Sequence, residues 1–353
     1  MSNIIEQYDH YLSASGPAAV VIREPLIPVE GADGVLFPST FAAGDGFPGG
    51  YNIDGDPNGE NIALVDSVGS QANRIEPLFA EPDYAGLVPQ VTITAGTKRI
   101  SLLEAGHRAG DAIVRCSALQ EELQKAFKAL LDGDATALAK IAPTSLVFGV
   151  WDSRDTQAKM PRLIASTIRA YNVRKLTRSA QYVPATEYVT NGLLPEATDK
   201  AAKDAYSERG FIHVPATGSH GGIIAKGGIR RDATLAVAAL KLIHSGTNAE
   251  ATLALRRYIL GLALVAFTKL PGGYLRQGTI LVTDPDNKRT AAEVYADGTR
   301  KPFLVTHEKA VAYAAAVAAA FIVGENRDVA FDKDRAKTDL EGKEKKGKAK
   351  KEK

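Results

Sequence analysis

Short β-branched runs and longer stretches with apolar residues at helical spacing are interleaved along this chain. Ala18 to Val29 (AAVVIREPLIPV) is β-branched and bounded by Gly16 and Gly31, which predicts a first strand, interrupted at Pro25. From Gly31 to Asn61 the density of Gly, Pro, Asp and Asn predicts a long irregular excursion. A helix is predicted over about Ile62 to Phe79, then a hairpin in which VTITAG and TKRISLL flank a turn near Gly96. Leu119, Leu123, Phe127, Leu130 and Leu131 give Ser117 to Ala142 an amphipathic helical pattern, expected to pack on a sheet. TSLVFGVW (Thr144 to Trp151) reads as a strand, Pro161 as the first-turn proline of a helix PRLIASTIRAYNV, and KLTRSAQYV as another strand. Residues 184–210 are polar and irregular, and GFIHVPATGSHGGIIAKGGIRRD predicts a projecting glycine-rich ribbon with two short apolar arms. Helices near Ala233 to His244 and Ala249 to Thr268, a strand QGTILVTD, a further short strand and an alanine-rich helix from His307 to Val323 complete an α+β order.

Composition changes this picture at three points. At 353 residues and 45% hydrophobic, the chain has enough apolar mass for one large domain or two modest ones. The N-terminus, MSNIIEQYDHYLSASG, has neither a basic n-region nor an apolar h-region, so a cytoplasmic protein is expected. The apolar stretches Tyr258 to Phe267 and Ala310 to Val323 fall short of the roughly 20 residues that span a bilayer, so no membrane partner is expected. The single cysteine, Cys116, supports neither an intrachain disulfide nor a CxxC zinc site.

Net charge is only +2, but it is unevenly placed. Asp332 to Lys353 holds ten Lys/Arg against six Asp/Glu, which leaves the other 331 residues at −2. Within that body, Trp151 to Arg178 carries seven basic residues against Asp152 and Asp155. The segment 331–353 is poor in apolar residues and rich in lysine, predicting a disordered tail.

The six histidines, at 10, 107, 213, 220, 244 and 307, form no HExxH motif and no pairing with cysteine, so neither a metal nor a cofactor is expected. No GxSxG elbow and no P-loop occurs. Polar and basic side chains beside glycines remain: SQANR (Ser70 to Arg74), GHR (Gly106 to Arg108), RDTQAKMPR (Arg154 to Arg162), TRSAQ (Thr177 to Gln181), KGGIRR (Lys226 to Arg231) and LRQG (Leu275 to Gly278). A guanidinium fork matches phosphate oxygens, and Gln and Asn amides bond sugar hydroxyls or base edges, so these runs point to a nucleic-acid backbone. Each arginine taken singly fits a surface charge or an internal ion pair equally well.

In chain order, GYNIDG, VDSVGSQANRIE, HRAGDAI, TSLVFGVWDSR with QAKMPR, IRAYNV, LTRSAQY, GGIIAKGGIRRDA, ALRRYILGLALVA and LRQGTILV resemble the large backbone subunit of type I-G (formerly I-U) CRISPR Cascade complexes, in the Cas-seven group of the RAMP superfamily. The resemblance runs from about residue 20 to 325 and omits the lysine-rich tail. It implies a single RAMP domain over 1–330, an RRM-like ferredoxin-fold palm with a fingers insertion (roughly 31–170) and a thumb hairpin (roughly 184–228). It further implies a non-catalytic protein whose copies stack in a helical filament along CRISPR RNA. Complementary target DNA, the large and guide-processing subunits and a separate helicase-nuclease would be its other partners. The RNA-binding set would be Ser70, Gln71, Asn73, Arg74, His107, Arg108, Arg154, Lys159, Arg162, Arg169, Arg178, Gln181, Lys226, Arg230, Arg231 and Arg276. An aromatic RNP motif is absent from the sequence, so the expected grip is on sugar and phosphate, with sequence read by pairing. The rival from the same superfamily is a metal-dependent ribonuclease using Asp66, Asp111 or Asp152; a small-molecule scaffold is a third reading, resting on the near-neutral body.

Overall fold

A computed structural model describes residues 4–57, 59–270 and 272–340, without the side chains of 179–181 and 216–219. The lysine-rich stretch 341–353 and the side chain of Gln181 therefore lie outside the described residues.

The architecture is a mixed helix–strand fold around one curled antiparallel sheet. Its main strands are β1 (Ala19–Pro28), β2 (Asn61–Asp66), β3 (Ile164–Tyr171), β6 (Ile229–Leu235), β7 (Thr279–Thr283) and β8 (Thr290–Val294), while β4 (Val173–Tyr182) and β5 (Val214–Ala225) form a separate two-stranded ribbon. The order across the sheet is β7-β1-β6-β3-β2, extended at the two ends by the short strands Tyr274–Arg276 and Ile53–Gly55. All of these pairings are antiparallel.

β1 runs unbroken through Pro25, contrary to the interruption expected there. Its outer neighbour changes at that point, because β8 pairs with residues 19–23 and β7 with residues 26–28. The missing proline N–H falls in the gap between the two partners, where no ladder bond is lost. The Pro25 carbonyl accepts from the Asp284 N–H at 3.0 Å.

One sequence-predicted helix is a strand, and another begins as one. Residues 61–66 form β2, and the helix begins only at α1 (Val68–Ile75), whose N-cap Ser67 accepts from the Ser70 N–H. IASTIRAY forms β3, a central strand flanked by β6 and β2. Apolar spacing at 163, 164 and 168 imitates a helix, but Ile164, Ser166, Ile168 and Ala170 are the alternate, buried positions of a strand with partners on both edges. Conversely, Thr144–Phe148 of the expected strand TSLVFGVW is one fully buried helical turn, and only Val150–Trp151 is extended. A short apolar run carries no period that separates these two states. The long amphipathic stretch divides at Gly133 (φ 85°) into α2 (Gln120–Leu131) and a six-residue helix, Thr136–Ile141.

The hairpin around Gly96 forms as expected, between Val91–Ala95 and Lys98–Ser101. Arg327–Ala330 adds a parallel third strand to it that the sequence pattern did not reveal. Residues 333–340 are helical, with Arg335 bonded to Gln120 and Glu121, so the predicted tail begins as folded chain. A nine-residue helix, Lys200–Glu208, occupies part of the stretch expected to be irregular. Ala233 to Leu235 closes β6, leaving only a four-residue helix, Val237–Leu240, of the one expected there.

α3 (Ala249–Thr268) matches its prediction and packs against α4 (His307–Phe321). α3 is long and apolar enough to cross a membrane by length and composition, yet 72% of its apolar window is buried within the fold, as in a core helix. Gly261 allows the close approach, since a Cβ there would lie 2.8 Å from Val317 and 3.0 Å from the Ala314 backbone.

Candidate nucleic-acid interface

Alternation along the central strands places the chemistry. On one sheet face, Val20, Ile22, Ala233, Leu235 and Ile164 join the larger core, and Leu26, Ile229, Ile168, Ala170, Ala63 and Val65 a smaller one. Glu24 lies between Ile22 and Leu26, Arg231 between Ile229 and Ala233, and Ser166 between Ile164 and Ile168. A polar seam therefore separates the two cores. Arg231 and Glu24 form a buried ion pair at 2.6 Å. The Ser166 hydroxyl donates to Gln71 Oε1 (3.0 Å), and Gln71 Nε2 donates to Asp66 (2.6 Å).

Asp66 is the hub of this seam. Its side chain is wholly buried at the end of β2, and its two oxygens accept from the Ser70 hydroxyl (2.7 Å), Gln71, Arg74 Nε (3.2 Å) and an Arg276 terminal nitrogen (3.0 Å). Four of the sequence-nominated residues thus converge on one carboxylate. The spacing that makes this possible was in the sequence: Ser70 and Arg74 stand four and eight residues after Asp66, so a helix starting beyond the strand turns both back toward it. Arg276 also donates to the Val65 carbonyl (3.0 Å), tying the β7 end of the sheet to β2. Burial pushes the Arg276 pKa down, while the Asp66 charge opposes that shift.

A second cluster adjoins the first through α1. Asn73 Oδ1 accepts from Arg108 (3.2 Å), and Arg108 is 2% exposed, paired at 2.6 Å with the equally buried Glu76. Burial pushes the Glu76 carboxyl up to about 7 against the attraction of Arg108; burial also lowers Arg108, and the nearby Arg162 adds to that lowering. His107, Arg108, Arg154, Lys159 and Arg162 line one cavity of about 400 Å³. Lys159 Nζ stands 5.5 Å from the ring centre of Trp151, which is 55% exposed. A Cβ on Gly69 would lie 3.9 Å from the Arg162 guanidinium, and one on Gly106 3.6 Å from the Asn73 amide. α1 therefore joins both clusters into one basic belt. Arg178, on the ribbon, extends it: its guanidinium lies 5.8 Å from the ring centre of Phe37, whose carbonyl accepts from the Thr279 hydroxyl beside Arg276.

Not all nominated residues join the belt. Arg230 precedes Arg231 on β6 and so faces the opposite side of the sheet. There it donates to Asp232 (2.9 Å) and to the Tyr171 hydroxyl (2.8 Å) and stacks over the Tyr171 ring at 4.9 Å. Arg169 is its cross-strand neighbour, and Lys226 shares its cavity. Among the described residues, the nominated side chains thus do not form a single continuous groove. Glu24, Glu76 and Trp151, which shape the belt, were missed; their signal was a charged or exposed aromatic residue inside an otherwise apolar alternation.

The ribbon leaves the sheet at Asn172 (φ 48°) and returns at Gly228 (φ 84°). Asn61, 4% exposed, clamps its root by donating to the Val173 carbonyl (3.2 Å) and accepting from the Val173 N–H (2.7 Å). The irregular segment after β1 straps it from the side, with Leu36 and Ile223 exchanging two backbone bonds and the Gly222 N–H donating to the Tyr51 hydroxyl.

The three aspartates weighed for hydrolysis hold structure. Asp66 is filled as described. Asp111 caps the helix Ala112–Arg115 and also accepts from the His107 N–H, and Asp152 accepts from the Thr156 N–H and hydroxyl. Among the described residues, no group of three His, Cys, Asp or Glu side chains is arranged to hold a metal ion.

Residues 20–175 match the model of a family described as CRISPR-associated protein GSU0053 (Cas_GSU0053). That span covers β1 to the start of β4, and with it most of the belt. The match supports a CRISPR-associated protein. No curated protein matches the chain.

Proposed function

We propose that this chain is a non-catalytic subunit that sheathes CRISPR RNA in a type I-G Cascade effector, copies stacking along the guide and presenting it to target DNA. The observation that carries the proposal is the belt itself: Arg74, Arg162 and Arg276 beside α1, two of them held by the buried Asp66 carboxylate, together with exposed Lys159 and Arg154, while buried Arg108 fixes α1 from within. Held guanidinium groups meet phosphates with little further loss of side-chain freedom. No base-reading aromatic pair is needed, because the guide supplies sequence recognition by pairing.

Topology supports a RAMP palm. Taken as β1, β3, β6 and β7, the sheet has the order fourth-first-third-second, all antiparallel, with α1 between the first two strands and α3 between the last two, as in an RRM-like ferredoxin fold. The ribbon that joins β3 to β6 is the natural thumb, spanning 173–225 rather than 184–228. Fingers would come from the segments on either side of β2, which adds to the palm's edge beside β3. Arg169, Lys226 and Arg230 then belong to the opposite face, available to a neighbouring copy or to target DNA. The large and guide-processing subunits and a separate helicase-nuclease complete the proposed assembly. Against the superfamily's ribonuclease chemistry, Asp66, Asp111 and Asp152 are each engaged in hydrogen bonds within the fold.

Purifying the chain with its partners and sequencing the bound nucleic acid tests this reading. Short RNA carrying a repeat-derived tag is expected; its absence from an intact complex counts decisively against the proposal.

A further inference from the structure

A cavity of about 540 Å³ opens between α1 and the segment after α3, on the belt side of the sheet. Its lining includes the apolar Leu78 and Leu275, the aromatic Tyr274, and the charged Arg74, Lys269 and Glu81, two cations against one carboxylate before Arg231 is counted. Arg231 also lines it. That residue is 3% exposed, its Nε is committed to Glu24, and one terminal nitrogen, NH2, has no hydrogen-bond partner. An orphaned guanidinium N–H in a buried site costs free energy until an acceptor reaches it. Tyr274 is 64% exposed, leaving a ring face open to a planar guest. Lys269 has Glu81 at 4.0 Å and donates to the Tyr84 hydroxyl, which holds its ammonium near the mouth.

An inner acceptor requirement, aromatic and apolar lining residues and a net cationic lining describe one ligand chemistry: a flat ring with acceptor atoms on its edge and an anionic group attached to it. We infer that this cavity binds a single nucleoside monophosphate unit. The base lies against Tyr274 and Leu275 with its acceptor edge toward Arg231, and the phosphate meets Arg74 and Lys269. The volume suits such a ligand, and base–aromatic stacking tolerates any base. The inference stands apart from the guide-sheathing role, since a mononucleotide needs no filament and no second copy. The unit can come free from solution or as one residue of a bound strand.

Calorimetric titration of the full chain with GMP, UMP, ribose 5-phosphate and inorganic phosphate tests it. Both nucleotides are expected to bind about tenfold or more tightly than ribose 5-phosphate. Tyr274→Ala should remove that advantage while leaving ribose 5-phosphate binding unchanged. Arg231→Lys, which keeps a cation for Glu24 but loses the planar fork, should weaken both nucleotides; if that variant melts early, Tyr274→Ala carries the test alone. Repeating the GMP titration on chain saturated with single-stranded RNA separates the sources. Suppressed binding identifies a strand residue as the occupant, and retained binding a free nucleotide. Equal affinity for GMP and phosphate, no heat with either nucleotide, or a Tyr274→Ala protein that binds as the parent does would overturn the inference. Strand binding measured on the same samples reports separately on the proposed function.

Discussion

The two halves of the basic belt solve the same physical problem in different ways. At Asp66 one buried carboxylate takes four donors, two of them from guanidinium groups that still reach solvent, with side chains 37% and 23% exposed. At Glu76 a single buried carboxylate meets a single buried guanidinium, and Glu76 Oε1 has no hydrogen-bond partner. The first arrangement satisfies its charge by numbers and leaves cations presented to a ligand. The second rests on one ion pair, with Thr144 as the other side chain that favours the charged Glu76, in a setting where desolvation outweighs attraction and pushes Glu76 upward. The hub therefore looks built for presentation, and the pair for fixing how α1 and the Gly106–Gly110 turn meet.

The largest effect should come from splitting the pair. Glu76→Met leaves Arg108 buried without a counter-charge and should cost about 4 kcal/mol in denaturant unfolding, whereas Glu76→Met with Arg108→Met should return to within about 1 kcal/mol of the parent. An unrecovered double variant would mean that Arg108 does more than neutralise Glu76. Asp66→Ala should cost about 3 kcal/mol, less than the split pair because Arg74 and Arg276 can turn to water. No single apolar second replacement should rescue it, since the four donors come from four different side chains.

pH sharpens the contrast further. The folded Glu76 carboxyl sits near 7, above its ordinary 4.5. The stabilising contribution of its proton is therefore complete below about 4.5 and is lost as pH rises through about 7. Glu76→Gln should flatten the fall in melting temperature over that window, as read by scanning calorimetry at several pH values. An unchanged slope would place the titration elsewhere.

Legibility in the sequence followed how local each signal was. α3, α4, the Gly96 hairpin and the ribbon's β4 were readable because their patterns are long or bounded by clear turn residues. β3 was misread as a helix because its identity rests on two strands contributed from residues 61–66 and 229–235, far away in the chain. The basic residues of the belt were visible as composition, and their convergence was not. Arg276 reaches Asp66 across 210 positions, and Arg230 and Arg231, adjacent in sequence, fall on opposite faces through the strand alternation that only the correct element assignment provides.

On the surface, effects shrink to binding alone. Arg162→Ala and Lys159→Ala should change stability by less than about 0.5 kcal/mol while weakening single-stranded RNA binding several-fold. Arg230→Ala, across the sheet, should leave single-copy binding within about twofold, because it lies off the belt.

Salt dependence of that binding addresses the belt most directly. Affinity of the full chain for single-stranded RNA, measured by fluorescence anisotropy from low to moderate salt, should lose about 0.7 from its log–log slope for each of Arg162→Ala and Lys159→Ala and nothing for Arg230→Ala. A slope that drops for Arg230→Ala and holds for the other two would put the strand on the opposite face and contradict the account.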